Sequence, residues 1–138
     1  MQFAGMNYWA IVIAAIAGFV FGAAWYSVLG KPWLEAVGRT EQEIRASGPS
    51  PRLFAVTFVA LLVMAWVLAG TIGHLGPGQV TLKNGVITGG FVWLGFVVTT
   101  LVVNHGFQGA RPMLTVIDGA HWLCVLLLQG AIIGAIGV

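Results

Sequence analysis

The run IDGAHWLC, Ile117 to Cys124, holds an acid, a base and a thiol at successive spacings of three: Asp118, His121 and Cys124. On a helix that spacing sets each side chain beside the next, in the order of a carboxylate that orients an imidazole beside a nucleophilic sulfur. Two features count against catalysis. At about 100° per residue, steps of three carry the side chains progressively around the helix, and Cys124 is the deepest of the trio in an apolar run, far from water. Cys124 therefore reads as a small apolar filler. As the chain's single cysteine it forms no intrachain disulfide, and no catalytic residue is assigned.

Metal or haem binding needs ligands that converge from different helices. The sequence has no Cys-x-x-Cys or His-x-x-x-His pattern, and His105 with His121 is the one histidine pair that the charge pattern puts on the same side. Two such histidines read as hydrogen-bonding groups, so no metal and no other cofactor is expected. Glycine-rich phosphate loops and nucleic-acid modules are absent from the sequence, which excludes nucleic acid as an expected partner.

The elements that position Asp118 and His121 follow from composition. Of 138 residues, 59% are hydrophobic and 7% charged, and the mean hydropathy is +0.95, which places the chain outside the range of soluble domains. The apolar residues gather into four blocks, about 8–29, 53–72, 85–103 and 113–137, each near the roughly 20 residues that a helix needs to cross a bilayer core. The blocks are continuous rather than alternating, which excludes a β-barrel and leaves helices to satisfy the backbone in lipid. The expected fold is all-α: one domain over residues 1–138, a polytopic antiparallel bundle of four transmembrane helices with a helical interfacial loop between the first two. The opening MQFAGMN carries no Lys or Arg, unlike a cleaved signal peptide.

Lys31, Arg39, Arg45 and Arg52 lie between the first and second spans and Arg111 between the third and fourth, whereas the other side has Lys83 and the N-terminal amine. The positive-inside rule then puts both basic loops in the cytoplasm and both termini outside, as expected for a multi-pass protein of a bacterial inner membrane. The segment KPWLEAVGRTEQEIRASGPSPR, Lys31 to Arg52, is too long for a tight turn. Pro32 suits a first helical position, and Thr40 with Glu43 reads as a capping box. Gly48, Pro49 and Pro51 break the chain before the second span. Trp33, Leu34 and Val37 would lay this segment on the headgroup layer, with Lys31 and Arg39 near lipid phosphates; the alternative is a solvated elbow.

Small residues recur every fourth position: Ala10, Ala14, Gly18 and Gly22 in the first span, Gly85 and Gly89 in the third, Gly130 and Gly134 in the fourth. Such stripes let helix backbones approach, within one chain or between copies. Four short spans enclose little volume, so the expected partners are membrane lipids and further copies of the chain in a homo-oligomer.

Asp118 falls about six residues into the last span, roughly 9 Å along its axis. Val125 and Gln129 share its face with His121 about 60° away, while Leu127, Gly130 and Gly134 point elsewhere. An aspartate in mid-span costs about 2.5 to 3.5 kcal/mol and calls for a bundle interior, a wetted recess or a partner. Antiparallel threading brings Trp25, Tyr26, Ser27 and Lys31, Asn104 and His105 just after the third span, and Arg111 to the level of Asp118. Two classes of function compete for this layer. One is a cytoplasm-facing site for a proton, an ion or a small polar solute; the other is a structural or accessory subunit in which the same groups only bond helices together, at about 0.6 to 2 kcal/mol apiece.

Trp25-Tyr26-Ser27 with Gly30, Lys31 and Trp33, then Asn104, then Asp118-Gly119 with His121, and the ending GAIIGAIG resemble a family of small bacterial integral membrane proteins, the domain-of-unknown-function family numbered seventeen sixty-one. The likeness spans nearly the whole chain. It implies a four-helix membrane protein and carries no settled activity.

Overall fold

In the computed structural model, which describes residues 5–138, the Asn7 side chain accepts from the Ala10 N–H at 3.3 Å and starts α1, Tyr8–Val28. A short α2, Gly30–Val37, follows at once and ends on Gly38, whose φ of 79° is the left-handed turn that closes many helices. The capping box forms: Glu43 N–H donates to Thr40 Oγ1 at 3.2 Å, Thr40 N–H donates to Glu43 Oε2 at 3.3 Å, and α3 spans Glu41–Ser47. Ser50 then caps α4, Pro51–Gly73, with Pro51 in the first turn where a missing N–H costs nothing.

The third span is longer than its apolar stretch. It begins at Leu82, because Thr81 accepts from the Asn84 N–H and the Asn84 amide holds Gln79 O at 2.8 Å. It runs as α5 (Leu82–Val92), a π turn (Trp93–Val97) and α6 (Val98–Phe107). Hydropathy locates the part that lipid covers, whereas caps locate the helix, so the expected start at Gly85 and end at Val103 are both too short. Asn104 and His105 accordingly lie inside the last turns of α6, not after the span. The fourth span is α7, Pro112–Ile136. The described residues are helical with connecting turns and contain no strand. Four helices are long and apolar enough to cross a membrane: Tyr8–Val28, Pro51–Gly73, Leu82–Phe107 and Pro112–Ile136.

α7 is the hub, packed against α1, α2, α4, α5 and α6. Its partners read off in opposite chain directions. Along α1, Gly18 faces Val125 and Gln129, Gly22 faces His121, and Tyr26 reaches Asp118. Along α5, Thr81 meets Gly134, Gly85 meets Gly130, and Gly89 meets Leu126. α1 and the α5–α6 span therefore both run antiparallel to α7. α4 pairs with α1 through edge contacts of Phe19 with Phe54 and Phe58, at centroid distances of 6.3 and 6.1 Å.

The glycine stripes act inside the chain. A Cβ added to Gly85 would run into the Gly130 carbonyl, one on Gly130 into the Gly85 carbonyl, and one on Gly134 into the Thr81 carbonyl. Backbone there touches backbone, which gives dispersion contacts where lipid removes any hydrophobic drive between helices. Ala10, Ala14 and Gly18 of α1 are likewise buried, and Leu61, Ile72, Leu126 and Ile133 fill the remaining core. The outer face of the third span stays apolar and exposed at Phe91, Leu94, Phe96 and Phe107.

Candidate functional site

Tyr26 sits one turn past Gly22 on the face of α1 that meets α7, and Asp118 is half-buried opposite it. The Tyr26 hydroxyl donates to Asp118 Oδ1 at 2.7 Å. Because α2 starts two residues after α1 ends, the chain folds back over this pair, and the Trp33 ring meets Tyr26 edge-on at a centroid distance of 6.0 Å. Tyr26, Gly30, Trp33, Leu34, Ile44 and Asp118 line an open recess of about 440 Å³. The connection between the first two spans is thus a roof. Trp33 and Leu34 are half-buried in that lining and Ala36 is buried, so the helical connection expected from the sequence forms and turns part of its apolar side to the recess. The single residue Leu29 between α1 and α2 keeps α2 close to the end of α1.

Neighbouring bonds fix the α7 turn that carries Asp118. The Trp93 indole N–H donates to the Gly119 carbonyl at 2.8 Å from the start of the π turn, a geometry that often accompanies functional positions. His105 Nδ1 and Thr115 Oγ1 are 2.9 Å apart, and the Arg111 guanidinium donates to the Glu35 carbonyl of α2. Helices α1 and α6, the π turn and, through Arg111, α2 therefore all hold the start of α7.

His121, one turn beyond Asp118, is 6% exposed. Its ring lies 4.9 Å from Tyr26, 4.6 Å from Trp122 and 6.1 Å from Phe21, centroid to centroid. Its Nδ1 has no hydrogen-bond partner among the described residues. His121 also borders a second recess of about 350 Å³ between α1, α4 and α7, together with Phe19, Gly22, Tyr26, Phe54 and Trp122. Tyr26 is the wall common to both recesses.

Of the eight residues read from the sequence as a polar layer, Tyr26, Asp118 and His121 converge. His105 and Arg111 brace the same region from α6 and from the turn before α7. Ser27 is turned to its own helix, where its hydroxyl donates to the Ala23 carbonyl at 2.6 Å. Lys31 and Asn104 are exposed, and Asn104 makes no hydrogen bond to Asp118 among the described residues. The aromatic lining was not legible in this role: Trp33 read as a headgroup anchor, and Trp93 sits in an apolar run that gives no sign of its bond to Gly119. Buried Gln129, whose amide donates to Leu61 O at 3.2 Å while its Oε1 lacks a partner, extends the polar face of α7 inward.

Charge completes the picture. Among the described residues two ion pairs form, Arg39 with Glu43 at 3.9 Å and Arg45 with Glu41 at 2.6 Å. Neither involves Asp118, so the acid in the fourth span has a neutral phenol as its bonded partner and no ion-paired cation. No group of three or more His, Cys, Asp and Glu side chains among the described residues is placed to hold a metal.

The chain matches the family described as Protein of unknown function (DUF1761) over residues 9–134, and it belongs to that family. No curated protein and no solved structure matches it.

Proposed function

We propose that this membrane protein handles a proton, an ion or a small solute at the recess beside Asp118, on the cytoplasmic side of a bacterial inner membrane, with both termini outside. One observation carries the reading. Asp118 faces a recess and takes a hydrogen bond from a neutral hydroxyl, with no cation among the described residues paired to it. A carboxylate at membrane depth is costly, about 2.5 to 3.5 kcal/mol on insertion scales, and is retained where it meets a partner or a transported charge. The orientation draws support from the Tyr26–Asp118 contact, which brings the end of α1 and the start of α7, and so the two basic loops, to one end.

A second reading has its own observation in its favour. The Trp93–Gly119, His105–Thr115 and Tyr26–Asp118 bonds all tie other helices to α7, as in a structural or accessory subunit. Assembly into a homo-oligomer within the lipid fits either reading, with the exposed apolar face of α5–α6 as the surface available to a second copy.

Asp118→Asn separates the two. Reconstituted in vesicles carrying a pH gradient or a radiolabelled cation, the variant loses flux or binding while keeping its elution volume if the site handles charge. Collapse of the assembly, with flux absent from the parent as well, would leave the structural reading.

A further inference from the structure

The lining of the recess defines which charge it suits. Tyr26 and Trp33 present aromatic rings, Leu34 and Ile44 present aliphatic surface, Gly30 presents backbone, and Asp118 supplies the one acidic group. A hard metal cation takes about six or more oxygen ligands, and the side chains here offer one carboxylate and one phenol that already donates to it. An anion would meet Asp118 with repulsion. A neutral apolar molecule would leave the carboxylate facing an apolar surface without compensation.

The volume, about 440 Å³, lies within the range of about 300 to 1,000 Å³ that holds small organic ligands. Aromatic faces beside a carboxylate attract a positive charge spread over alkyl groups, through the ring quadrupole and through Coulomb attraction. With Oδ1 engaged by Tyr26, the carboxylate offers Oδ2 for a single contact. A single positive centre needs no more than that, whereas the two-pronged fork of a guanidinium is matched to two free oxygens. Among the described residues no cation of the roof is ion-paired to Asp118: Arg39 and Arg45 pair with Glu43 and Glu41, Arg111 is bonded to the Glu35 carbonyl, and Lys31 is exposed.

We infer that the recess formed by Tyr26, Trp33, Leu34, Ile44 and Asp118 binds a small monovalent organic ammonium with an apolar body. The inference rests on the proposed role of Asp118 and names the class of solute. The ammonium sits against the Tyr26 and Trp33 rings, and Asp118 balances its charge.

The test uses the full chain purified in detergent, with benzyltrimethylammonium as probe, followed by titration calorimetry and tryptophan fluorescence. Equal concentrations of sodium ion and of benzenesulfonate serve as comparators, and variants are compared when helix content and elution volume match the parent. Saturable binding of the ammonium and not of the comparators is expected. Asp118→Asn should weaken it about tenfold or more, and Trp33→Leu about three- to tenfold, within the range of one ring contact and one charge. Trp33→Phe, which keeps a ring, should stay within about threefold of the parent. Equal binding of ammonium and sulfonate, or an unchanged affinity in Trp33→Leu, overturns the inference. If Trp33→Leu is silent while Asp118→Asn still abolishes ion flux, the role of Asp118 survives without the organic ligand. Indifference of both flux and binding to Asp118→Asn removes both.

Discussion

The Tyr26 hydroxyl and Asp118 Oδ1 lie 2.7 Å apart across 92 positions of sequence, so one contact ties the end of the first span to the start of the last. Its loss should register in stability. Tyr26→Phe is expected to lower resistance to unfolding in a detergent titration by about 1 kcal/mol, within the range of interhelical bonds in membranes. An unchanged midpoint would mean that the bond does not hold the helices.

Gly85 and Gly130 touch at backbone level, while a Cβ on Gly119 would meet nothing within 4 Å. Gly85→Ala and Gly130→Ala should each destabilise the fold by about 1–3 kcal/mol, the range for overpacking. Gly119→Ala should be neutral to slightly stabilising from helix propensity, by up to about 1 kcal/mol. Thermal unfolding followed by circular dichroism ranks the three, and equal effects would contradict the packing.

Gly22 leaves room for an imidazole, since a Cβ there would sit 3.0 Å from His121 Nε2. His121 is held among Phe21, Tyr26 and Trp122 and has little freedom to retreat. Gly22→Ala should therefore cost about 1 kcal/mol, and His121→Ala should absorb most of that cost in the double variant. A double-mutant cycle that adds without coupling would argue against the contact.

Trp93→Phe keeps the ring and removes the indole N–H that reaches the Gly119 carbonyl. The expected loss is about 0.5–1.5 kcal/mol, accompanied by faster amide exchange in α7 near Gly119. Exchange that stays at the parental rate would place the anchor elsewhere.

Orientation is open to chemical labelling. In a background where Cys124, the single cysteine, is replaced by Ala, a cysteine at Ser47 should resist an impermeant maleimide in intact cells and one at Lys83 should react. The reverse pattern would invert the proposed topology.

The spans were legible because each apolar block is near the length of a bilayer crossing, and the Thr40–Glu43 box because its two residue types and their spacing name the bonds they make. The Tyr26–Asp118 pairing follows from antiparallel threading, which matches positions in the two spans by depth. Depth alone does not set rotation about a helix axis. Ser27 and Asn104 share that depth, yet the close fit of Gly18 and Gly22 to α7 turns Tyr26 inward and leaves Ser27 exposed. Trp93 escaped notice because its bond goes to a backbone carbonyl, and a carbonyl has no sequence signature.

The glycine contacts between α5 and α7 bear on motion. With carbonyls seated against α-carbons, neither rod can slide or roll past the other without first separating, so the pair forms a fixed mast. The one-residue link at Leu29 likewise ties α2 to the end of α1, so the recess beside Asp118 is framed by parts that hold their places together.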